Sequence, residues 1–273
     1  MRAEIRWKSV VLENLCALLL ALLLAFLIRT FLFQSFNIPS GSMRPTLLVG
    51  DYLFVSKYSY GYNKYSFPLH SMIPWSGRIL AGEPARGDVI VFRPTTRPNL
   101  DYIKRVIGIP GDRVQIKMGQ LFLNGKPVKR EWVQNRENTT PTIFTNTIGY
   151  GQTTSVLFRE TLPNGVSYLT LQSIGHNTLS DIPRILSHTD PNNTIEYLVP
   201  KGHYFVLGDN RNNSQDSRFL DRIGYIPSNN IVGKAQILFY SVNTIGYDSW
   251  LDAFFTVLTQ PWRIRLSRMF TKL

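Results

Sequence analysis

An uncharged apolar stretch near the N-terminus constrains this chain more than any other feature. Residues 14–28 carry no charge, and 15–27 are almost entirely leucine, alanine and phenylalanine. Crossing the hydrocarbon core of a bilayer takes about 20 apolar residues. The stretch 9–33 reaches that length because Glu13 and Arg29 lie near its ends, where charged side chains can extend to the interface. No second stretch is long enough, so we expect a single transmembrane helix over 9–33.

The residues that precede this stretch indicate its orientation. Arg2, Arg6 and Lys8 stand against a lone Glu4, so the positive-inside rule places 1–8 in the cytoplasm and the rest of the chain outside. A cleavable signal peptide also has a basic start and an apolar core, but it ends in an Ala-x-Ala-like site. No such site follows the apolar stretch. We therefore expect an uncleaved anchor.

Composition narrows the classes of function. The chain has 273 residues and a formal net charge of +12. A basic balance suits nucleic acid and an anionic lipid surface equally, but the lysines and arginines are scattered, which favours the membrane over nucleic acid. Cys16 is the only cysteine, so no intramolecular disulfide can form. The four histidines lie far apart without HExxH or CxxC spacing, and we expect neither a metal nor another cofactor.

Strand signals dominate the remainder and predict a mostly β fold built from antiparallel sheets. Residues 52–55 and 89–92 are short β-branched and aromatic runs, and each follows a Gly-Asp pair. Residues 121–123 lead into Asn124-Gly125, a favoured two-residue hairpin turn. Further candidate strands are 114–117, 155–158, 167–172, 204–207 and 237–240.

A serine and a lysine are the strongest candidates for catalysis. Ser42 lies in the run Pro39-Ser40-Gly41-Ser42-Met43, a few residues after the apolar stretch. A hydroxyl is a weak nucleophile until a base takes its proton, yet no histidine lies in a motif-like setting and no GxSxG or SxxK motif occurs. Lys104 is flanked by tyrosine, isoleucine and valine. Such surroundings could lower its pKa from about 10.4 to roughly 7–8, at a cost of about 3–4 kcal/mol.

Further polar residues could complete such a site. The glycine between Ser40 and Ser42 permits tight backbone geometry, so the Ser42 amide and the Ser40 hydroxyl could both face a developing oxyanion. Ser214 has the size and polarity to hold a lysine amine. Asp216 and Arg218 have the i,i+2 spacing of an ion pair that fixes a loop.

Each of these residues also has an ordinary structural explanation. A Ser-Gly-Ser turn is common in proteins, and a lysine in an apolar strand often extends to solvent from a sheet edge. The acidic loop 209–216 could hold calcium, but Arg211 occupies the third ligand position and no EF-hand glycine and glutamate follow. Only the combination of these residues points to a specific catalytic site.

The distribution of these groups along the chain predicts its domain organisation. The stretch 113–200 is polar, rich in asparagine and threonine, and contains none of the candidate catalytic groups. We interpret it as an inserted β-subdomain between two parts of a catalytic core, 34–112 and 201–246. The tail 247–273 mixes aromatic residues with arginines around Pro261. It predicts short amphipathic helices, either at the membrane interface or packed on the protein surface.

Taken together, five sequence blocks resemble bacterial type I signal peptidases, the membrane-anchored Ser/Lys leader peptidases. The blocks fill a small part of the chain but occur in the family's order. They are Pro39-Ser40-Gly41-Ser42-Met43-x-Pro45-Thr46-Leu47, Gly50-Asp51, Gly87-Asp88-Val89-Ile90-Val91-Phe92, Asp101-Tyr102-Ile103-Lys104-Arg105-Val106-x-Gly108-x-Pro110-Gly111-Asp112, and Gly208-Asp209-Asn210-Arg211-x-Asn213-Ser214-x-Asp216-Ser217-Arg218.

The resemblance implies a role for each matched residue. Ser42 would be the acylating nucleophile and Lys104 the general base. Ser40 and the Ser42 amide would form the oxyanion hole, and Ser214 would orient Lys104. Substrate pockets and structural residues are implied as well: Phe36, Ile38, Tyr102 and Ile103 would line small S1 and S3 pockets, and Asp209, Asp216 and Arg218 would be structural.

The sequence departs from the family pattern in places. Asn212 stands where many relatives carry aspartate, a position with no catalytic role in the family. A second N-terminal membrane segment, frequent in the family, is not expected here. The stretch 113–200 has no motif that matches, so its role is open.

The activity implied by the resemblance is endoproteolytic removal of signal peptides from exported preproteins, through an acyl-enzyme, at the outer (periplasmic) face of a bacterial cytoplasmic membrane. Partners would be preproteins, the lipid bilayer and, as an open alternative, the secretion translocon, with no nucleic acid. The substrate's extended segment would add as a strand beside 36–39 and 101–104. Two alternatives stay open: a self-cleaving repressor relative, although no DNA-binding module is visible, and a membrane-tethered binding protein without catalysis.

Overall fold

The chain begins with a long apolar helix in the computed structural model, which describes residues 2–67, 75, 77–134, 142–148, 151–173, 190–243 and 259–273. Helix α1 (Arg2–Leu27) is followed by a π-helical turn, Ile28–Leu32. The segment Val10–Leu32 is long and apolar enough to cross a membrane, and nearly all of its side chains are exposed. An apolar surface on every side of a helix suits lipid better than water. The expected N-terminal apolar helix is confirmed.

Lys57 joins the end of this helix to the rest of the protein. Its Nζ donates hydrogen bonds to Arg29 O (2.9 Å) and Ser66 O (2.6 Å), and its backbone N–H donates to Leu32 O (3.1 Å). The last carbonyls of a helix lack partners within the helix, and a nearby cation is favoured there. Burial lowers the pKa of Lys57 to about 8. These contacts, together with the hydrogen bond from the Tyr62 hydroxyl to Phe31 O (2.9 Å), hold the helix end against the body.

Strands form most of the body in the described part of the chain, as the sequence predicted. Every candidate strand named above lies within an observed one. In chain order the strands are β1 (Phe33–Asn37), β2 (Asp51–Ser56), β3 (Val89–Phe92), β4 (Tyr102–Gly108), β5 (Arg113–Lys117), β6 (Gln120–Leu123), β7 (Lys126–Pro127), β8 (Lys129–Trp132), β9 (Ile143–Ile148), β10 (Gly151–Thr161), β11 (Ser167–Ser173), β12 (Tyr197–Leu198), β13 (His203–Leu207), β14 (Ile226–Pro227), β15 (Ile231–Ser241) and β16 (Thr271–Lys272).

These strands form three antiparallel sheets among the described residues. The main sheet has the order β1-β2-β15-β3-β4-β13-β14, with β16 paired to β15. A second sheet has the order β11-β10-β8, with β9 paired to β10, and a third has the order β12-β5-β6-β7. The chain therefore leaves the main sheet after β4, builds two smaller sheets, and returns to the main sheet at β13.

Glycines permit two of the turns that the sequence predicted. Gly87, just before β3, has a φ of 96°, and Asn124 and Gly125, between β6 and β7, have φ values of 53° and 78°. Positive φ strains most residues that carry a Cβ but not glycine, and asparagine tolerates it. Two consecutive positive φ values match a type I′ hairpin turn. The predicted hairpin at Asn124-Gly125 is confirmed.

Part of the hydrophobic core lies directly around the Ser40-Gly41-Ser42 turn. Met43 and Leu47, which follow the turn, are fully buried in a group that also contains Ile38, Leu53 and Val91. Full burial of a side chain of this size stabilises a protein by about 1.5–3 kcal/mol. The turn is therefore held between buried residues on both of its sides in the sequence.

The C-terminal tail consists of short helical turns and a strand in its described part. Pro261–Arg263 and Leu266–Arg268 are single 3₁₀ turns, and β16 follows them and pairs with β15. Arg268 donates a hydrogen bond of 2.6 Å to the buried carboxylate of Asp51, which ties the tail to the start of β2. The first part of the predicted amphipathic helices, 247–258, lies outside the described residues.

Replacement of Gly87 by alanine should destabilise the fold more than the same change at Gly125. Both positions have positive φ, so alanine adds backbone strain of about 1 kcal/mol or more at either one. A Cβ at Gly87 would also lie 2.5 Å from the side chain of Val166, whereas nothing lies within 4 Å of a Cβ at Gly125. In thermal unfolding, Gly87→Ala should lower Tm by several degrees more. Equal losses of Tm would contradict this packing role.

Candidate active site

Ser42 lies in a 3₁₀ turn, Gly41–Met43, that follows β1. The residue is 8% exposed. Asn210 fixes the turn from the loop after β13: its backbone N–H donates to Ser42 O (3.0 Å), and its Nδ2 donates to Gly41 O (3.0 Å). Ser42 is therefore almost buried, and two hydrogen bonds hold its turn.

Lys104 lies on β4, opposite Ile90 of β3. The residue is 3% exposed. Its Nζ donates hydrogen bonds to Ser42 Oγ (2.7 Å) and to Ile103 O (2.9 Å), and it lies 5.9 Å from the centre of the Tyr102 ring. The structure thus brings the candidate base and the candidate nucleophile into direct contact inside the protein.

Burial lowers the pKa of Lys104 to about 8. A charged amine loses its hydration when protein surrounds it, so the neutral form becomes easier to reach. Asp216 and Asp209 act in the opposite direction, and Arg218 adds to the lowering. At the ordinary lysine pKa of 10.5, almost every amine would carry a proton at neutral pH. At a pKa of about 8, a useful fraction of the amine is free to accept one.

Arg105, the neighbour of Lys104, holds Asp209. Its Nε donates to Asp209 Oδ1 (2.9 Å) and its Nη2 donates to Oδ2 (2.7 Å), while Thr46 Oγ1 donates to the same Oδ2 (2.5 Å). Both members of the pair are buried. A forked arginine–carboxylate pair fixes orientation as well as distance. It connects the loop after β13 to β4 and to the segment that follows Ser42.

Arg218 holds Asp216 in a second forked pair. Its Nε donates to Oδ1 (2.8 Å) and its Nη2 donates to Oδ2 (2.9 Å), and the Gly208 N–H also donates to Oδ2 (3.0 Å). Burial opposes ionisation of Asp216, but the charge and hydrogen bonds of Arg218 together with the Gly208 N–H lower the pKa of the carboxyl. Guanidinium groups thus occupy both carboxylates of the loop, and no three His, Cys, Asp or Glu side chains cluster in the described residues.

Ser40 and Ser214 lie far apart in the sequence, but both approach the turn that contains Ser42. Ser40 is exposed, and its Oγ lies 3.3 Å from Ser42 Oγ. Ser214 is buried. A Cβ at Gly208 would lie 2.2 Å from Ser214 Oγ and 2.6 Å from Ser42 O, so the two groups meet at this glycine. The hydrogen bonds of the Lys104 amine go to Ser42 and Ile103, and none in the described residues joins it to Ser214.

The four residues expected to line substrate pockets lie in and just after β1 and at the start of β4. Phe36 and Ile103 are partly buried and pack against the group that contains the buried Ile38. Tyr102 stacks on Phe92 with ring centres 6.2 Å apart. The two segments that approach Ser42 therefore carry apolar side chains.

The same two segments have unpaired strand edges in the described part of the chain. β1 is at the end of the main sheet and pairs with β2 alone. β13 pairs with β4 only between Arg105 and Gly108, so one edge of 102–104 has no partner strand there. Unpaired edges of this kind accept an extended peptide through main-chain hydrogen bonds.

Sequence reasoning did not single out several residues that hold this site. Arg105, Thr46 and Asn210 lie within the matched blocks, beside residues that were singled out, so their position was a usable signal. Glu160 had no such signal, because it lies in the polar stretch without motifs. It contacts the loop after β13 through Arg211, whose Nη1 donates to Glu160 Oε1 (3.0 Å).

Comparison with known proteins supplies the family. A family model described as signal peptidase, peptidase S26, matches residues 11–240. The signal peptidase I of Rickettsia typhi is 36% identical over 276 residues, which cover 100% of this chain and 97% of that protein. The signal peptidase I of Rickettsia conorii is 39% identical over 254 residues, which cover 92% of this chain and 88% of that protein.

A crystal structure of a signal peptidase I from Enterococcus faecalis aligns with 56% of this chain and 97% of its own, at 24% identity and a TM-score of 0.28. The assignment rests on the family model and on the sequence relatives, which extend over nearly the whole chain. This chain belongs to the signal peptidase family, peptidase S26, whose members are serine endopeptidases.

Proposed function

We propose that Ser42 attacks the scissile carbonyl of a preprotein and that Lys104 is the general base for that attack. The family supports removal of signal peptides by a serine peptidase. The observation that carries the assignment to these two residues is the 2.7 Å contact between Lys104 Nζ and Ser42 Oγ. Both residues are buried. A hydroxyl next to a dry and partly neutral amine can lose its proton as it attacks.

Two stages follow from this arrangement. In acylation, the neutral Lys104 amine takes the Ser42 proton while Oγ bonds to the carbonyl carbon. The ammonium then gives that proton to the amine of the mature protein as the C–N bond breaks. In deacylation, Lys104 takes a proton from the water that attacks the acyl-enzyme and returns it to Ser42 Oγ. Each stage uses the lysine as base and then as acid, which requires a pKa close to the working pH.

The oxyanion hole in this proposal consists of the Ser42 backbone N–H and the Ser40 hydroxyl. Negative charge develops on the carbonyl oxygen during attack, and one fixed donor is typically worth about 10²–10³ in kcat. Ser40 Oγ is exposed and lies 3.3 Å from the attacking oxygen. The hydrogen bonds from Asn210 support the backbone donor, because they hold the turn that contains it.

Ser214 is proposed to orient Lys104 during the second stage. Its hydroxyl lies beside the Ser42 carbonyl at Gly208, within the loop that Arg105 and Arg218 fix through its two aspartates. Once Ser42 is acylated, its Oγ no longer holds the lysine amine. A buried hydroxyl next to the dyad can then accept the hydrogen bond that the amine has lost, which avoids an unpaired buried donor.

The substrate is proposed to bind as an added strand between 36–39 and 101–104, the two segments with unpaired edges. Main-chain hydrogen bonds would supply most of the affinity, and side chains at alternate positions would enter pockets. Because Phe36, Ile38, Tyr102 and Ile103 crowd this surface, the pockets admit small residues at the first and third positions before the cut.

The domain arrangement and topology complete the proposal. The anchor crosses a bacterial cytoplasmic membrane once, with 1–8 in the cytoplasm and the catalytic core, 34–112 and 201–246, at the outer face. The described body follows the helix end after only a few residues, because β1 begins at Phe33. The dyad is therefore near the bilayer surface, where a signal peptide ends, and contact with the translocon would deliver substrates to it.

Ser42→Ala and Lys104→Met should each abolish cleavage of a preprotein while the protein stays folded. The first removes the nucleophile and the second removes the base, so kcat should fall by roughly 10³-fold or more in either case. Cleavage is followed by gel shift of the preprotein in detergent, and folding by circular dichroism. Cleavage at the native rate by either variant would reject the assigned dyad.

Cleavage should decrease on acidification with an apparent pKa near 8, since Lys104 must lose its proton before it can act as a base. Lys57 provides a matched control, because burial lowers its pKa to about 8 as well but it contacts the helix end. The acid limb of kcat/KM measured on a soluble peptide should persist in Lys57→Met. A rate that does not change between about pH 5 and 9 would contradict a tuned lysine base.

Lys104→Met should raise thermal stability at neutral pH. The pKa of Lys104 is lower in the folded state than the ordinary 10.5, so the unfolded chain binds the proton more tightly. Below pH 8 the folded state carries the full cost of the buried charge, about 3 kcal/mol. That cost disappears as the pH rises from about 8 to 10.5. The difference in Tm between variant and native protein should therefore be largest at pH 7 and shrink by pH 10; a constant difference would contradict the shift.

A further inference from the structure

A fully buried carboxylate from the polar segment 113–200 reaches the loop that holds the nucleophile turn. Glu160 lies on β10 and is 0% exposed. Arg211, in the loop after β13, makes two hydrogen bonds to this carboxylate: Nη1 donates to Oε1 (3.0 Å) and Nη2 donates to Oε2 (2.5 Å). Tyr168 of β11 also donates its hydroxyl hydrogen to Oε2 (2.9 Å). Burial opposes the charge on Arg211, but its neighbours, of which Glu160 has the largest effect, raise the pKa of Arg211.

Main-chain hydrogen bonds from β11 flank Asn210 on both sides. The Leu171 N–H donates to Asp209 O (2.8 Å), and the Arg211 N–H donates to Leu171 O (2.9 Å). Asn210 itself makes the two hydrogen bonds that fix the Ser42 turn. Asn210, which holds the Ser42 turn, is therefore flanked by two residues that are hydrogen-bonded to the β10–β11 hairpin.

The hairpin reaches the loop by a second route. The Tyr168 ring lies under the guanidinium of Arg105, with 4.4 Å between the carbon of that group and the ring centre. Arg105 in turn forks Asp209. Cation–π contact strengthens when it is removed from water, and all three residues are buried.

We propose that Glu160 is a positioning residue for catalysis, which holds Asn210, and through it the Ser42 turn, in the reactive arrangement by way of Arg211. The proposal rests on the assignment of Ser42 and Lys104 as the reacting pair. It gives the segment 113–200 a role: its β10–β11 hairpin supports the loop 208–218. A buried arginine without its carboxylate would draw in water or move toward solvent, and the loop would move with it.

The test compares Glu160→Gln with Glu131→Gln in the full-length protein in detergent. Glu131 is a matched control, since it lies in the same segment and pairs with Lys129 at 2.8 Å, but the pair is exposed. The substrate is an internally quenched peptide with alanine at the first and third positions before the cut. Glu160→Gln should lower kcat about tenfold or more and change KM less than about threefold, because the reacting atoms are misplaced while the substrate edges persist. Glu131→Gln should match the native protein.

The pH profile separates positioning from simple loss of folded protein. Fewer active molecules would scale the whole profile without moving it. A loosened loop admits water to Lys104 and weakens the effect of burial, so the acid limb should move to higher pH in Glu160→Gln. A native kcat and an unmoved limb would overturn the proposal.

Replacement of Glu160, Tyr168 and Arg211 by apolar residues further distinguishes a positioning role from a purely stabilising one. In the triple variant Glu160→Leu, Tyr168→Phe and Arg211→Met, no charge is left unpaired, so Tm should recover by comparison with Glu160→Gln. Positioning predicts that kcat stays low; recovery of kcat together with Tm would show that the network only stabilises the fold. Arg211→Lys, which keeps the charges and loses the fork, takes the place of Glu160→Gln if that variant does not fold, with the same expectation and the same contrary result.

Failure of this proposal and failure of the dyad are distinguishable. Native activity of Glu160→Gln beside an inactive Ser42→Ala would reject the positioning role and leave the dyad intact. Cleavage by Ser42→Ala would reject the dyad itself.

Discussion

The proposed chemistry of this protein depends on a single hydrogen bond between the Lys104 amine and the Ser42 hydroxyl. In the proposed mechanism the bond serves catalysis only if the amine can be neutral, and neutrality depends on the exclusion of water. The fold meets this condition by burying Lys104 on β4, beside β3 and against the serine turn, although two nearby carboxylates favour its charged form. Burial has a larger effect than the two carboxylates, so the pKa of Lys104 falls.

Paired charges around the lysine make that balance possible. Arg105, Arg218 and Arg211 each fork a buried carboxylate, and the three pairs converge on the loop 208–218. Each pair is costly to bury and more costly to break, because removal of one member leaves a charge without a partner. Such pairs contribute less to stability than to a defined geometry. The proposed mechanism needs that geometry, because Asn210 holds the turn that contains Ser42 and Gly208 brings Ser214 against it.

Local patterns in the sequence predicted the elements well, and long-range packing was harder to anticipate. The apolar helix, eight of the sixteen strands in the described residues and the Asn124-Gly125 hairpin follow from composition, alternation and turn chemistry, which act over a few residues. The contact of Lys104 with Ser42 was expected from family blocks, and periodicity alone offered no reason to join two residues so far apart. Glu160 shows the limit most clearly: a glutamate on a polar strand normally faces water. Its burial goes with the pairing of β10 with β11 and of β11 with the loop 208–218, which lie far apart in the sequence.

The central claim concerns the protonation of one amine, so nuclear magnetic resonance of lysine labelled with carbon-13 at the ε-carbon tests it most directly. The Lys104 signal is the one that is missing from Lys104→Met, which separates it from Lys57. A pH titration of the full-length protein should show this signal moving with a midpoint near 8. A midpoint near the ordinary lysine value of about 10.5 would mean that the amine is charged and hydrated at working pH, and the proposed chemistry would be contradicted.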